Sequence, residues 1–290
     1  MPQPQSAEEL NEQGRRLAEA GDVNGADAAY RAARALDPTW SAPIYNLGLL
    51  YKYCREWKRS LEYNQLAVQL SPDDQASWWN LGIAATSLAD WGEARRAWEA
   101  CGIKPPPGDG APVFNFGLTP IRLDPEGEAE VVWARRLDPA RAEITSIPLP
   151  SSRFRWRDVV LTDGAEEGRR TVEDRTYPVF NVLQLLSRSE FQTVVVELGS
   201  ANDAAIDALH TLAAEEGIGT EYWGMSTRIL CRACSLGISD EHTGYDGAPA
   251  HPHLGVAVRD AAEVEVLMER WLAMCPTADV VRYYPVPRPD

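Results

Sequence analysis

Over the first hundred residues, large apolar, small and polar positions recur on a period too long for a single helix or strand. Gly14, Gly48 and Gly82 stand 34 residues apart, and so do Ala26, Ser60 and Ala94, and Pro38, Pro72 and Pro106. Three further columns keep the step: Leu10, Ile44 and Trp78 are large, Val23, Trp57 and Trp91 open a second segment, and Ala33, Ala67 and Cys101 are small. A repeat of this length predicts two antiparallel helices. Small residues let the pair approach closely while the large ones fill the groove opposite. Proline at each repeat end stops the second helix, because it lacks an N–H and clashes with the preceding turn.

These residues resemble the tetratricopeptide repeat (TPR) family, with Trp78, Leu81, Gly82, Ala94 and Pro106 the fullest set. The resemblance covers residues 7–106, in repeats 7–40, 41–74 and 75–106. The first repeat is the weakest, with Gln13 where Leu47 and Leu81 stand in the others, as a terminal repeat with one solvated face allows. It implies an α-solenoid whose first helices line a concave groove bearing Asn11, Arg15, Tyr45, Leu49, Tyr53, Trp79 and Ile83. Such a surface is aromatic and apolar, and Tyr and Trp are rigid binding anchors. TPR domains that capture a chaperone's C-terminal carboxylate carry Lys, Asn and Arg there. Here only Asn46 sits where one of those asparagines would, so a carboxylate clamp is not expected. The expected occupant is a protein or peptide partner, or the chain's own C-terminal domain docked in the groove.

The pattern breaks at KPPPGDGAP, residues 104–112, and a Pro/Gly linker is expected at 107–112. Beyond it, segments 131–137, 144–149, 156–162 and 177–186 are rich in Val, Ile and aromatics and are separated by turn residues. They predict a small antiparallel β-barrel or sheet within 113–190, with turns at 138–140 and 163–165 and a protruding charged loop at 166–174. Residues 191–290 read as two βαβ units: strand 193–198, helix 202–216 and strand 219–223, then strand 254–258, helix 261–274 and strand 280–284. That succession predicts a ferredoxin-like α+β domain. The order of the two parts resembles uncharacterised bacterial domains, with no residue match that carries a function across.

Composition narrows the partners. The chain has 290 residues, 44% of them hydrophobic, and its 43 acidic against 28 basic residues leave a net charge of −15. A core is affordable at this length, and nucleic acid is disfavoured because that field repels a polyanion. A basic protein would be attracted. No export signal or membrane-length apolar run is read, and the five irregularly spaced cysteines do not suggest disulfides, so a cytoplasmic protein is expected.

Residues 231–253, CRACSLGISDEHTGYDGAPAHPH, gather two of five cysteines and three of four histidines. Cys231, Cys234 and His242, with His251 or His253, offer the thiolate and imidazole set of a structural zinc site. No Gly-rich phosphate loop, Gly-x-Ser-x-Gly elbow or His-Glu-x-x-His helix occurs, and no catalytic residues are expected. The reading is a non-enzymatic bacterial-type adaptor or scaffold working through its TPR groove. The alternative is an acidic immunity or antitoxin-like protein that neutralises a basic effector. A zinc-dependent enzyme, with Asp240 or Glu241 as base, stands third.

Overall fold

The computed structural model describes residues 5–223 and 253–287, except 115, 128 and 173. The chain divides into two compact units, Met1–Asn115 with Leu137–Arg141, and Phe116–Arg136 with Ala142–Asp290.

Among the described residues six helices build the first unit: α1 (Ala7–Glu19), α2 (Val23–Leu36), α3 (Ser41–Tyr53), α4 (Trp57–Leu70), α5 (Gln75–Ser87) and α6 (Trp91–Ala100). The second helix of each pair opens at Val23, Trp57 or Trp91, the column seen in sequence. Side chains cap several starts: Ser6 and Glu9 form a reciprocal box on α1, and Asp22, Asp74 and Asp90 accept from backbone N–H groups of α2, α5 and α6. Every first helix ends alike. Gly21, Arg55 and Ala89 have φ of 80°, 59° and 56°. The next residue's N–H then donates back to Leu17, Tyr51 or Ala85, each at 2.9 Å, which satisfies a carbonyl the helix leaves open.

The core of the first two pairs gathers Ala26, Tyr30, Ile44, Leu47, Tyr51, Tyr63 and Ala67. Behind Tyr51 lies a polar cluster: its hydroxyl donates to Asp27, Arg31 pairs with Asp27 at 2.8 Å, and the Arg59 guanidinium lies 3.8 Å from the Tyr51 ring centroid. Burial, then the bond to Asp27, pushes the Tyr51 pKa up to about 12.

In the second unit, β1 (Leu118–Arg122), β2 (Val131–Arg136), β3 (Arg141–Ile144), β4 (Val159–Val172) and β5 (Arg175–Ser187) follow one another around a sheet that closes on itself. β1 pairs antiparallel with β2 and parallel with β5. Four details differ from the sequence reading. β1, which contains Pro120, is a strand with no strong pattern of its own, and the strand expected at 144–149 lies instead at Arg141–Ile144. The turn expected at 163–165 is a register shift inside β4. The charged loop expected at 166–174 is mostly strand, since β4 continues to Val172, which pairs with Arg175. Most side chains of that ribbon are exposed, so its composition is that of a loop while its backbone is paired.

The second sheet is made from β6 (Gln192–Ser200), β7 (Gly219–Tyr222), β8 (His253–Val258) and β9 (Asp279–Pro285), in the order β7-β8-β6-β9 with all neighbours antiparallel. Helices α7 (Asp203–Glu215) and α8 (Ala262–Met274) cover one face, packing Leu209, Leu212, Leu267 and Trp271 on Val194, Val196 and Leu198. The other face is apolar too. There Ala257 is buried with Ile147 and Phe191, against Trp156 and Trp223. A sheet buried on both faces needs two covers. Residues 116–136 and 142–190, read from sequence as belonging to a separate small β domain, accordingly fall in one compact unit with 191–290. No described helix is long and apolar enough to cross a membrane.

Candidate functional site

The first helices α1, α3 and α5 are tied to one another by polar side chains. Asn46 Nδ2 donates to Asn11 Oδ1 at 2.9 Å, and Lys52 Nζ donates to Asn80 Oδ1 at 3.1 Å. Lys52 is only 3% exposed, and its ammonium lies 4.5 Å from the Tyr53 ring centroid. Desolvating an ammonium is costly unless it is hydrogen-bonded, so this lysine fixes the spacing of α3 and α5 rather than reaching into solvent.

Tyr45, Leu49 and Tyr53 recur every four residues and so share a face of α3. Tyr45 and Leu49 are half-buried, and Tyr53 is 56% exposed. Ile44, Leu47 and Tyr51, on the other side of the same helix, are committed to the core. Asn11 is half-buried beside Asn46, and Arg15 is exposed on α1 with Glu12 at 3.1 Å and Glu19 at 3.7 Å. Those carboxylates, the Glu12 hydrogen bond first, raise the Arg15 pKa.

The third repeat differs. Trp79 is half-buried with its ring edge-on to Trp98, centroids 5.3 Å apart, and Ile83 is fully buried. Ile83 therefore adds no exposed surface to the expected groove. Thr86 and Ser87 continue its face by helical spacing. Trp79 Nε1, Thr86 Oγ1 and Ser87 Oγ are buried without a hydrogen-bond partner among the described residues. Sequence reasoning missed Lys52, Asn80, Thr86 and Ser87. A lysine at the end of an apolar helix was the available signal for the first of them.

Of the expected metal ligands, Cys231, Cys234, His242 and His251 lie outside the described residues. His253 begins β8 opposite Glu197 of β6, its Nε2 3.5 Å from Glu197 Oε1. Glu197 is 6% exposed and also accepts two bonds from Arg282, at 2.9 and 2.7 Å. Among the described residues no group of three or more His, Cys, Asp or Glu is placed to hold a metal ion.

Solved structures similar to this chain include two TPR domains of Spaghetti (RPAP3) bound to the HSP90 peptide SRMEEVD. The second TPR is 20% identical over 33% of this chain and 89% of that one, with a TM-score of 0.32. The first TPR is 22% identical over 34% and 78%, also with a TM-score of 0.32. The TPR2B domain of yeast Sti1, in complex with pHsp70, is 16% identical over 32% and 75%, with a TM-score of 0.31. No family model matches the chain, and no curated protein does. With three helix pairs in register on a 34-residue step, the N-terminal part of this protein is a TPR-like helical region.

Proposed function

We propose that this protein is a non-enzymatic interaction adaptor that holds a protein or peptide segment along the first helices of its TPR-like region. The observation that carries the reading is the row Tyr45, Leu49 and Tyr53, half-buried at the first two positions and exposed at the third, on a helix whose opposite face is core. Such aromatic and apolar side chains offer large contact area at small entropic cost. The cations beside that row are already engaged, Arg15 with Glu12 and Glu19 and Lys52 with Asn80. An apolar or aromatic stretch of the partner therefore suits the surface better than a chain-terminal carboxylate. The two TPR domains of Spaghetti are bound to an HSP90 peptide, the class of partner proposed here.

A peptide-array screen with the full chain, followed by titration of the strongest peptides, tests this. Tyr53→Ala and Leu49→Ser are expected to weaken those peptides about tenfold or more with little change in melting temperature. Binding that ignores both substitutions but collapses with salt would favour the alternative, an acidic surface that masks a basic effector.

The second unit is read as a ferredoxin-like arrangement, since two βαβ segments interleave in the order β7-β8-β6-β9. A structural zinc ion at Cys231, Cys234, His242 and one of His251 and His253 is retained for one reason. The carboxylate of Glu197 beside His253 Nε2 is the kind of outer partner that orients a metal-bound imidazole.

A further inference from the structure

In the second unit, an open cleft of about 630 Å³ is lined by Leu118, Trp133, Thr145, Ser146, Tyr177, Thr220 and Glu221. Its aromatic wall is a pair: the Trp133 and Tyr177 rings meet edge to face, centroids 5.0 Å apart. Tyr177 pairs directly with Arg170 across the β4–β5 ribbon, and directly opposed residues of an antiparallel pair point to the same side. The Arg170 guanidinium accordingly lies 5.1 Å from the Trp133 ring centroid, beside the cleft and next to its aromatic wall rather than among the residues that line it.

Many arginines of this acidic chain are paired with a carboxylate, and Arg170, among the described residues, is not. Arg31, Arg96, Arg135, Arg141 and Arg282 each meet a carboxylate. Arg170 is half-buried, and its hydrogen bond is a long one, Nη1 to the Val131 carbonyl at 3.4 Å. No carboxylate pairs with it among the described residues, and burial alone lowers its pKa. A cation partly withdrawn from water without a counter-charge is costly, and an arriving anion would offset that cost. The one carboxylate lining the cleft, Glu221, is engaged elsewhere, accepting from the Ile147 N–H at 2.6 Å.

We propose that this cleft binds a small anionic ligand with a flat aromatic body, its ring against Trp133 and Tyr177 and its carboxylate or phosphate on the Arg170 guanidinium. The volume suits a small molecule. Aromatic faces supply the non-directional part of the affinity, and the planar fork of arginine supplies the choice of a planar or tetrahedral anion.

Calorimetric titration of the full chain with phenylacetate, phenyl phosphate and uncharged phenylacetamide tests the assignment. At least one anion is expected to bind about tenfold or more tightly than the amide, and the tighter of the two identifies the acid group. Arg170→Gln should reduce that anion to the level of the amide, while Arg170→Lys, which keeps the charge but loses the fork, should fall between. A lower melting temperature in either variant does not confound the result, because the comparison is between ligands on one protein. Equal affinity for anion and amide, an anion affinity untouched by Arg170→Gln, or no anion binding at millimolar concentration would overturn the proposal.

Discussion

Gly82 lies against the indole of Trp98: a Cβ on that glycine would fall 2.4 Å from the ring. The same contact recurs in each helix pair, with Gly14 against Tyr30 at 2.6 Å and Gly48 against the Asn64 amide at 2.7 Å. In each pair the contacting residue lies sixteen positions beyond the glycine. Trp98 is fully buried and cannot swing into solvent without opening the repeat. Gly82→Ala is therefore expected to destabilise the protein by about 1–3 kcal/mol. Chemical denaturation of variant and parent measures it, and indistinguishable midpoints would mean that the helices have room to part.

The strained ends of the first helices give the opposite sign. Ala89 and Arg55 hold φ of 56° and 59° where the first repeat has Gly21. A left-handed conformation costs a residue with a Cβ roughly 1–2 kcal/mol, and glycine returns part of that through unfolded-chain entropy. Ala89→Gly should raise stability by about 0.5–1 kcal/mol, read as a shift of the urea midpoint at constant slope. A lower midpoint would show that the terminal hydrogen bond, not the backbone angle, governs this turn.

His210 predicts a pH dependence. It lies on α7 with Nδ1 2.6 Å from Thr220 Oγ1, and burial lowers its pKa, against a smaller opposing effect of Asp207. A depressed folded value means that the unfolded chain binds the proton more readily, so stability rises with pH. The loss should begin as pH falls below about 6.5, the unfolded value, and end below the depressed folded one. Melting temperatures of parent and His210→Gln across that window should diverge in slope. Parallel curves would assign the acid sensitivity to other groups.

Metal content is decided by analysis of protein purified without a histidine tag. About one zinc ion per chain is expected, lost in Cys234→Ser, with a melting temperature that falls in chelator. Metal-free protein whose melting temperature ignores chelator would remove zinc from the account.

Sequence by itself determined the helical region, because its determinants are local or lie one fixed step away. The glycine, alanine and proline columns and the row of Tyr45, Leu49 and Tyr53 at four-residue spacing are all legible without coordinates. The strands and helices of 191–287 that the structure describes were legible for a similar reason, as long apolar runs bounded by caps. Only the tertiary structure decided the rest. Lys52 reads as a surface residue until Asn80 meets it from the next repeat. β1 becomes a strand because β2 and β5 pair with it on both sides, and residues 166–172 become strand because Arg175–Phe180 lies alongside. Trp133, Arg170 and Tyr177 come from three strands, and only sheet register brings the Arg170 guanidinium and the Tyr177 ring against Trp133. Local propensity is written in neighbouring residues, whereas strand pairing and the burial of a charge are set by whichever distant segment arrives.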